Sequence, residues 1–126
     1  MRKRRATLFI VALAAVAATA PGFASRVAQP AETPRQIIDI TAERFAFTPS
    51  EVKVKAGTAL EIRLRSDDTA HGFHIVGTDV DIELPKRGRG AATVMFTPKA
   101  GRYTFECSRL CGAGHEFMRG VIVASE

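Results

Sequence analysis

Leu60-Glu61-Ile62-Arg63-Leu64-Arg65 sets apolar side chains against charged ones at a strict period of two. That spacing belongs to a strand with one face on a core and the other in water. The same alternation recurs on both sides of it. Before it come Ile38 and Ile40, Phe45 and Phe47, and Val52 and Val54. After it come Val80, Ile82 and Leu84, then Ala92, Val94 and Phe96, then Tyr103 and Phe105, and last Val121 and Val123. Turn-forming runs separate the repeats: Thr48-Pro49-Ser50, Lys55-Ala56-Gly57, Ser66-Asp67-Asp68, Lys86-Arg87-Gly88-Arg89-Gly90 and Pro98-Lys99-Ala100-Gly101. No segment has a helical period. The pattern predicts an all-β domain, an antiparallel β-sandwich or small barrel of seven or eight strands. About 90 residues in two sheets bury a sufficient core without a disulfide staple.

Upstream of the strands the composition changes. Arg2-Lys3-Arg4-Arg5 is basic, Ala6–Ala20 is apolar and uncharged, and Pro21-Gly22-Phe23-Ala24 ends in small residues. Residues 1–24 therefore read as an export signal, removed as a signal peptide or kept as a short N-terminal anchor. As a helix the apolar run would be about 22 Å long, short of the roughly 30 Å of bilayer hydrocarbon. Residues 25–35, with Pro30 and Pro34, read as a linker, and residues 36–126 as the folded domain. The body is expected in the periplasm or on the outer face of the plasma membrane. The formal net charge of +5 is misleading, because four of the 18 basic residues are Arg2, Lys3, Arg4 and Arg5, and no acidic residue precedes Glu32. Without its leader the chain is close to neutral. That removes the basic face which nucleic-acid binding requires.

The alternation stops between Cys107 and Met118. Cys107, Cys111, His115 and Met118 are spaced four, four and three apart. Gly112 and Gly114 allow the segment to curl and converge those side chains. Two thiols, an imidazole and a thioether are soft or borderline donors and suit copper, Cu(I) above all, better than magnesium or calcium. His71, in Asp67-Asp68-Thr69-Ala70-His71-Gly72-Phe73-His74, is the leading candidate for a donor from elsewhere in the chain. Phe73 and Ile75 continue an inward alternation that includes it. Three other uses of these residues stay open on spacing alone: a Cys107–Cys111 disulfide, a zinc site, and a mononuclear copper site of one Cys, two His and a Met. Asp68 is a candidate to orient His71, or else a turn former. His74, three residues from His71, points to the opposite face of a strand. Met95, Glu116, Arg119 and the Lys86–Arg89 cluster read as packing or solvated surface. There is no catalytic triad and no acid/base pair placed for turnover.

The segment resembles the binuclear copper (CuA) loop of cytochrome c oxidase subunit II and of nitrous oxide reductase. That family's pattern is Cys-x3-Cys-x3-His-x2-Met with an upstream His in an Asp-x-x-His context. The chain has Cys107, Cys111, His115 and Met118, and Asp68-Thr69-Ala70-His71. The likeness runs from about Phe45 to Val123 and is nearest to the subunit II type with one N-terminal helix. The resemblance implies a Greek-key cupredoxin fold and electron transfer through two copper ions. It implies that Cys107 and Cys111 bridge the ions, and that His71 and His115 each bind one. Met118 and the backbone carbonyl of Arg109 would be weak ligands. It also implies a redox partner, such as a cytochrome c or an oxidase subunit, and allows membrane association through the N-terminal segment. The chain departs from the pattern in three ways. Arg109 stands where the family has an acidic or amide side chain, there is no Trp to receive electrons (Phe73 takes the comparable position), and the apolar leader is short for an oxidase anchor.

Overall fold

The computed structural model describes residues 34–126; the predicted leader and nearly all of the predicted linker lie outside them. Nine strands are found among the described residues. They are β1 (Arg35–Glu43), β2 (Ala46–Thr48), β3 (Glu51–Lys55), β4 (Ala59–Ser66), β5 (His71–Ile75), β6 (Asp81–Leu84), β7 (Ala92–Phe96), β8 (Gly101–Glu106) and β9 (Arg119–Ser125). They form two sheets, ordered β2-β1-β4-β7 and β3-β9-β8-β5-β6. The strand beyond the expected seven or eight is β5, where the inward alternation of His71, Phe73 and Ile75 continues. The first strand begins at Arg35, one residue inside the predicted linker.

The sheets are mixed rather than purely antiparallel. β1 runs parallel to β4, and β3 parallel to β9. Period two reports which face of a strand is buried and carries no information on direction. Between β1 and β4 the chain crosses into the other sheet for β3 and returns, so β4 comes back beside β1 pointing the same way.

The core lies where the alternation put it for most strands. Ile38, Ile40, Leu60, Ile62, Leu64 and Val94 face inward from one sheet, and Phe73, Ile75, Leu84 and Phe105 from the other. β9 is the exception. Its inward residues are Ile122 and Ala124, while Val121 and Val123 are only half-buried on the other face. The run Val121-Ile122-Val123-Ala124 is apolar at every position, so alternation alone could not choose its face. Phe45 is a second exception. It precedes β2, is partly exposed and packs against the Cys107–Met118 loop rather than in the core.

Three rings pack beneath that loop. Phe47 meets Phe73 at 5.8 Å between centroids and Phe105 at 5.3 Å, both edge-on, and Phe73 meets Phe105 at 5.2 Å. The rings join β2, β5 and β8, two elements of which lead directly into the candidate site.

Candidate metal centre

His71 opens β5, and Cys107 follows the last residue of β8. His74 of β5 pairs with Glu106 of β8, so the sheet itself brings the start of one strand to the end of the other. His71 is fully buried. Its Nε2 lies 2.7 Å from Asp68 Oδ1, and its Nδ1 faces Cys107 Sγ at 3.9 Å. Asp68 also accepts the Thr69 N–H at 2.6 Å, and its other oxygen takes the Arg44 N–H at 2.9 Å and Arg44 Nε at 3.2 Å. It therefore both shapes the turn and aims the imidazole, so the two roles that the sequence left open are filled together. Partial burial works against the Asp68 charge, but the His71 and Arg44 hydrogen bonds outweigh it and hold the carboxyl well below the usual carboxylate range. Replacing Asp68 by alanine strips an acceptor from a buried imidazole and from two backbone N–H groups. The copper-free Asp68→Ala protein should lose about 1–3 kcal/mol in a urea titration.

The loop closes on itself. His115 N–H donates to Gly112 O at 3.1 Å, Met118 N–H to His115 O at 3.1 Å, and Cys107 N–H to Met118 O at 3.1 Å. A single 3-10 turn, His115–Phe117, carries the curl. Gly112 has φ +144°, and a Cβ there would lie 2.9 Å from the Phe45 ring, so the close approach of that ring requires glycine. The result is a compact set of donors. Cys107 Sγ and Cys111 Sγ are 3.8 Å apart, both as free thiols. Cys111 Sγ lies 3.8 Å from His115 Nδ1 and 3.9 Å from Met118 Sδ. Cys107 Sγ lies 3.0 Å from Arg109 O and accepts the Gly72 N–H at 3.4 Å. The two thiols and a ring nitrogen of His71 all lie within 4.8 Å of one another. The structure groups His71, Cys107 and Cys111, with His115 and Met118 beside Cys111 and the Arg109 carbonyl beside Cys107; His115 lies outside the compact group of three. As a set they could hold copper. His74 points away from them, as its position predicts, with Nδ1 2.9 Å from Val80 O.

Two fastenings of this loop were not legible in the sequence. Ser108 Oγ donates to Asp81 Oδ1 at 2.6 Å, and the Arg109 guanidinium pairs with Glu83. Both acceptors belong to the edge strand β6, and only the sheet order places β6 beside the loop. Gly72 is constrained for the same reason, since a Cβ there would meet Arg109 N at 2.7 Å.

Burial and the neighbouring Cys107 thiol push the Cys111 thiol well above its ordinary value of 9.0. A raised value means that the fold favours the neutral thiol. Its contribution to stability is complete below pH 9.0 and is lost as pH climbs through the raised value. Metal binding requires the thiolate. Copper uptake at pH 7 should therefore release at least one proton per protein from Cys111, measurable with an indicator dye in weak buffer.

Comparison with known proteins agrees with the fold. The model of the cupredoxin-like domain family matches residues 6–124. Cytochrome c oxidase subunit 2 of Thermus thermophilus is 36% identical over 89 residues, which are 69% of this chain and 64% of that protein. The chain thus spans less than two thirds of that relative's length. Amicyanin-alpha of Methylorubrum extorquens is 30% identical over 123 residues, 94% of this chain and 98% of that one. The crystal structure of the periplasmic domain of subunit II of cytochrome oxidase from Bradyrhizobium japonicum superposes with a TM-score of 0.65 at 21% identity, over 75% of this chain and 88% of that one, a likeness of fold. The chain belongs to the cupredoxin-like family and is homologous to subunit II of cytochrome c oxidase.

Proposed function

We propose that this domain is an exported electron-transfer protein holding two copper ions between Cys107 and Cys111. The observation that carries the reading is the pairing of donors around the sulfurs. Each thiol has its own imidazole nitrogen, His71 Nδ1 at 3.9 Å from Cys107 and His115 Nδ1 at 3.8 Å from Cys111. Each also has its own weaker donor, the Arg109 carbonyl on one side and the Met118 thioether on the other. A mononuclear site of one Cys, two His and a Met would draw on both imidazoles and leave one of the two thiols idle. When bound, the copper pair supplies a one-electron couple shared over two ions. The chain's own part is to hold the ligands still and dry. Asp68 aims His71, Gly72 N–H steadies the Cys107 sulfur, and the β-sandwich resists rearrangement as charge changes.

Export is supported by the basic and apolar leader and by the periplasmic placement of the Bradyrhizobium domain of the same fold. The partner would be a cytochrome c or another oxidase subunit, by analogy with the Thermus relative. Retention of the full-length protein in washed membranes would mark it as a subunit, and release would mark it as a free carrier.

Copper analysis with redox titration tests the function. Two coppers per chain and a reversible one-electron wave with a purple colour are expected. A colourless protein that holds Cu(I) and shows no reversible wave would instead be a copper-delivery protein. Met118→Leu conserves volume in a fully buried position, so stability should change by less than about 1.5 kcal/mol. The centre should still assemble, with a shifted reduction potential by voltammetry.

A further inference from the structure

We propose that the loop-bearing end of the sandwich is a docking surface for a redox protein with an acidic rim, and that the β6–β7 turn selects it. The inference rests on the electron-transfer reading and adds the chemistry of the partner. β6 ends at Leu84, which pairs with His71, and β7 begins at Ala92, which pairs with Leu64 near the same end of β4. The intervening Lys86-Arg87-Gly88-Arg89 turn therefore projects beside the candidate centre. Its Arg87 N–H donates to Asp68 O at 3.1 Å, the same residue whose carboxylate holds His71.

The charges at this end are sorted. Arg44 pairs with Asp68, Arg109 with Glu83 and Arg119 with Glu106. Lys86, Arg87 and Arg89 are exposed and form no ion pair among the described residues. Three uncompensated cations thus stand at one edge of an end whose other basic groups are neutralised. Near the Cys107–Met118 donors, Leu110 is 81% exposed and Phe117 79% exposed, though both are large and apolar. Neither supports the fold, and leaving both in water is unfavourable. Exposed apolar tips with a cationic turn at one edge match the anatomy of a protein interface, with an apolar centre and a charged rim that steers the approach. The exposed Glu116 beside Phe117 is the opposing charge that those three cations outnumber. Three cations on an otherwise neutral body are few for a nucleic-acid or membrane surface.

Native cytochrome c and cytochrome c with its lysines succinylated offer the same haem with opposite surface charge. Each would be titrated into the isotope-labelled protein, Cu(I)-loaded and copper-free, with amide shifts followed by NMR and electron exchange by stopped flow. The succinylated form should bind more tightly, shift Lys86–Arg89, Leu110 and Phe117, and lose affinity with salt. The triple variant Lys86→Gln, Arg87→Gln, Arg89→Gln should exchange electrons about tenfold more slowly at low salt. Leu110→Ser with Phe117→Ser should weaken binding and leave the salt dependence unchanged. Tighter binding of the native form, shifts confined to the outer face of β1, β4 and β7, or preference for phosphatidylglycerol vesicles would each overturn the inference. Docking without electron exchange would leave this surface standing and remove the electron-transfer reading. Exchange indifferent to partner charge would do the reverse.

Discussion

Replacing Cys107 by serine should abolish the two-copper spectrum and reduce copper from two ions per chain to at most one. Cys107 is the hub of the site. Its sulfur is within 4.0 Å of His71 Nδ1, Cys111 Sγ, the Arg109 carbonyl and the Gly72 N–H. A serine oxygen is a harder donor and cannot share its electrons between two soft ions as a thiolate does. The surviving donors, Cys111, His115 and Met118, lie close enough together for one ion. The variant should keep its fold, because the core beneath is built from phenylalanine and aliphatic side chains and no disulfide is lost. Cys111→Ser should show the same loss through the other half of the site. Metal analysis beside the visible spectrum decides it: a Cys107→Ser protein that kept the full two-copper spectrum would show that this sulfur is not shared.

The second large effect concerns the platform. Phe105→Ala should cost about 3–5 kcal/mol in denaturant unfolding of the copper-free protein. Phe105 is fully buried and touches both Phe47 and Phe73. It lies two residues before Cys107 and leaves no room for a Cβ at Gly120, just past the other end of the loop. The cavity would open directly under the sulfurs. The copper spectrum should broaden in the variant even under conditions where it stays folded, because the same ring that supports the core also supports the loop. An exposed position such as Met95→Ala should change stability by less than about 0.5 kcal/mol and leave the spectrum alone.

The sequence carried a good part of this, for physical reasons that differ from residue to residue. The half-buried strands were legible because water on one face forces alternation, as in Leu60-Glu61-Ile62-Arg63-Leu64. β9 defeated the same rule because Val121-Ile122-Val123-Ala124 is apolar on both faces. Strand direction was not legible at all, and the β1–β4 and β3–β9 parallel pairs had to come from the topology. The candidate donors could be named because Cys107, Cys111, His115 and Met118 share one loop, and His71 because it opens a strand on the inward parity. Their supports were harder. Asp68 is three residues from His71 and could be named in advance. Arg44, Asp81 and Glu83 reach the site only through sheet pairing and sheet order, and no local spacing announces them. Phe45 looked like a core residue by its alternation with Phe47, yet it covers the glycines of the loop.

Two thiols 3.8 Å apart, each with a separate imidazole, are the feature from which everything functional here follows. Electron paramagnetic resonance of the copper-loaded, oxidised protein reads that feature most directly. A seven-line hyperfine pattern, from one unpaired electron spread equally over two copper nuclei, is the expected result. A four-line pattern would confine the electron to one copper and contradict the shared-sulfur site.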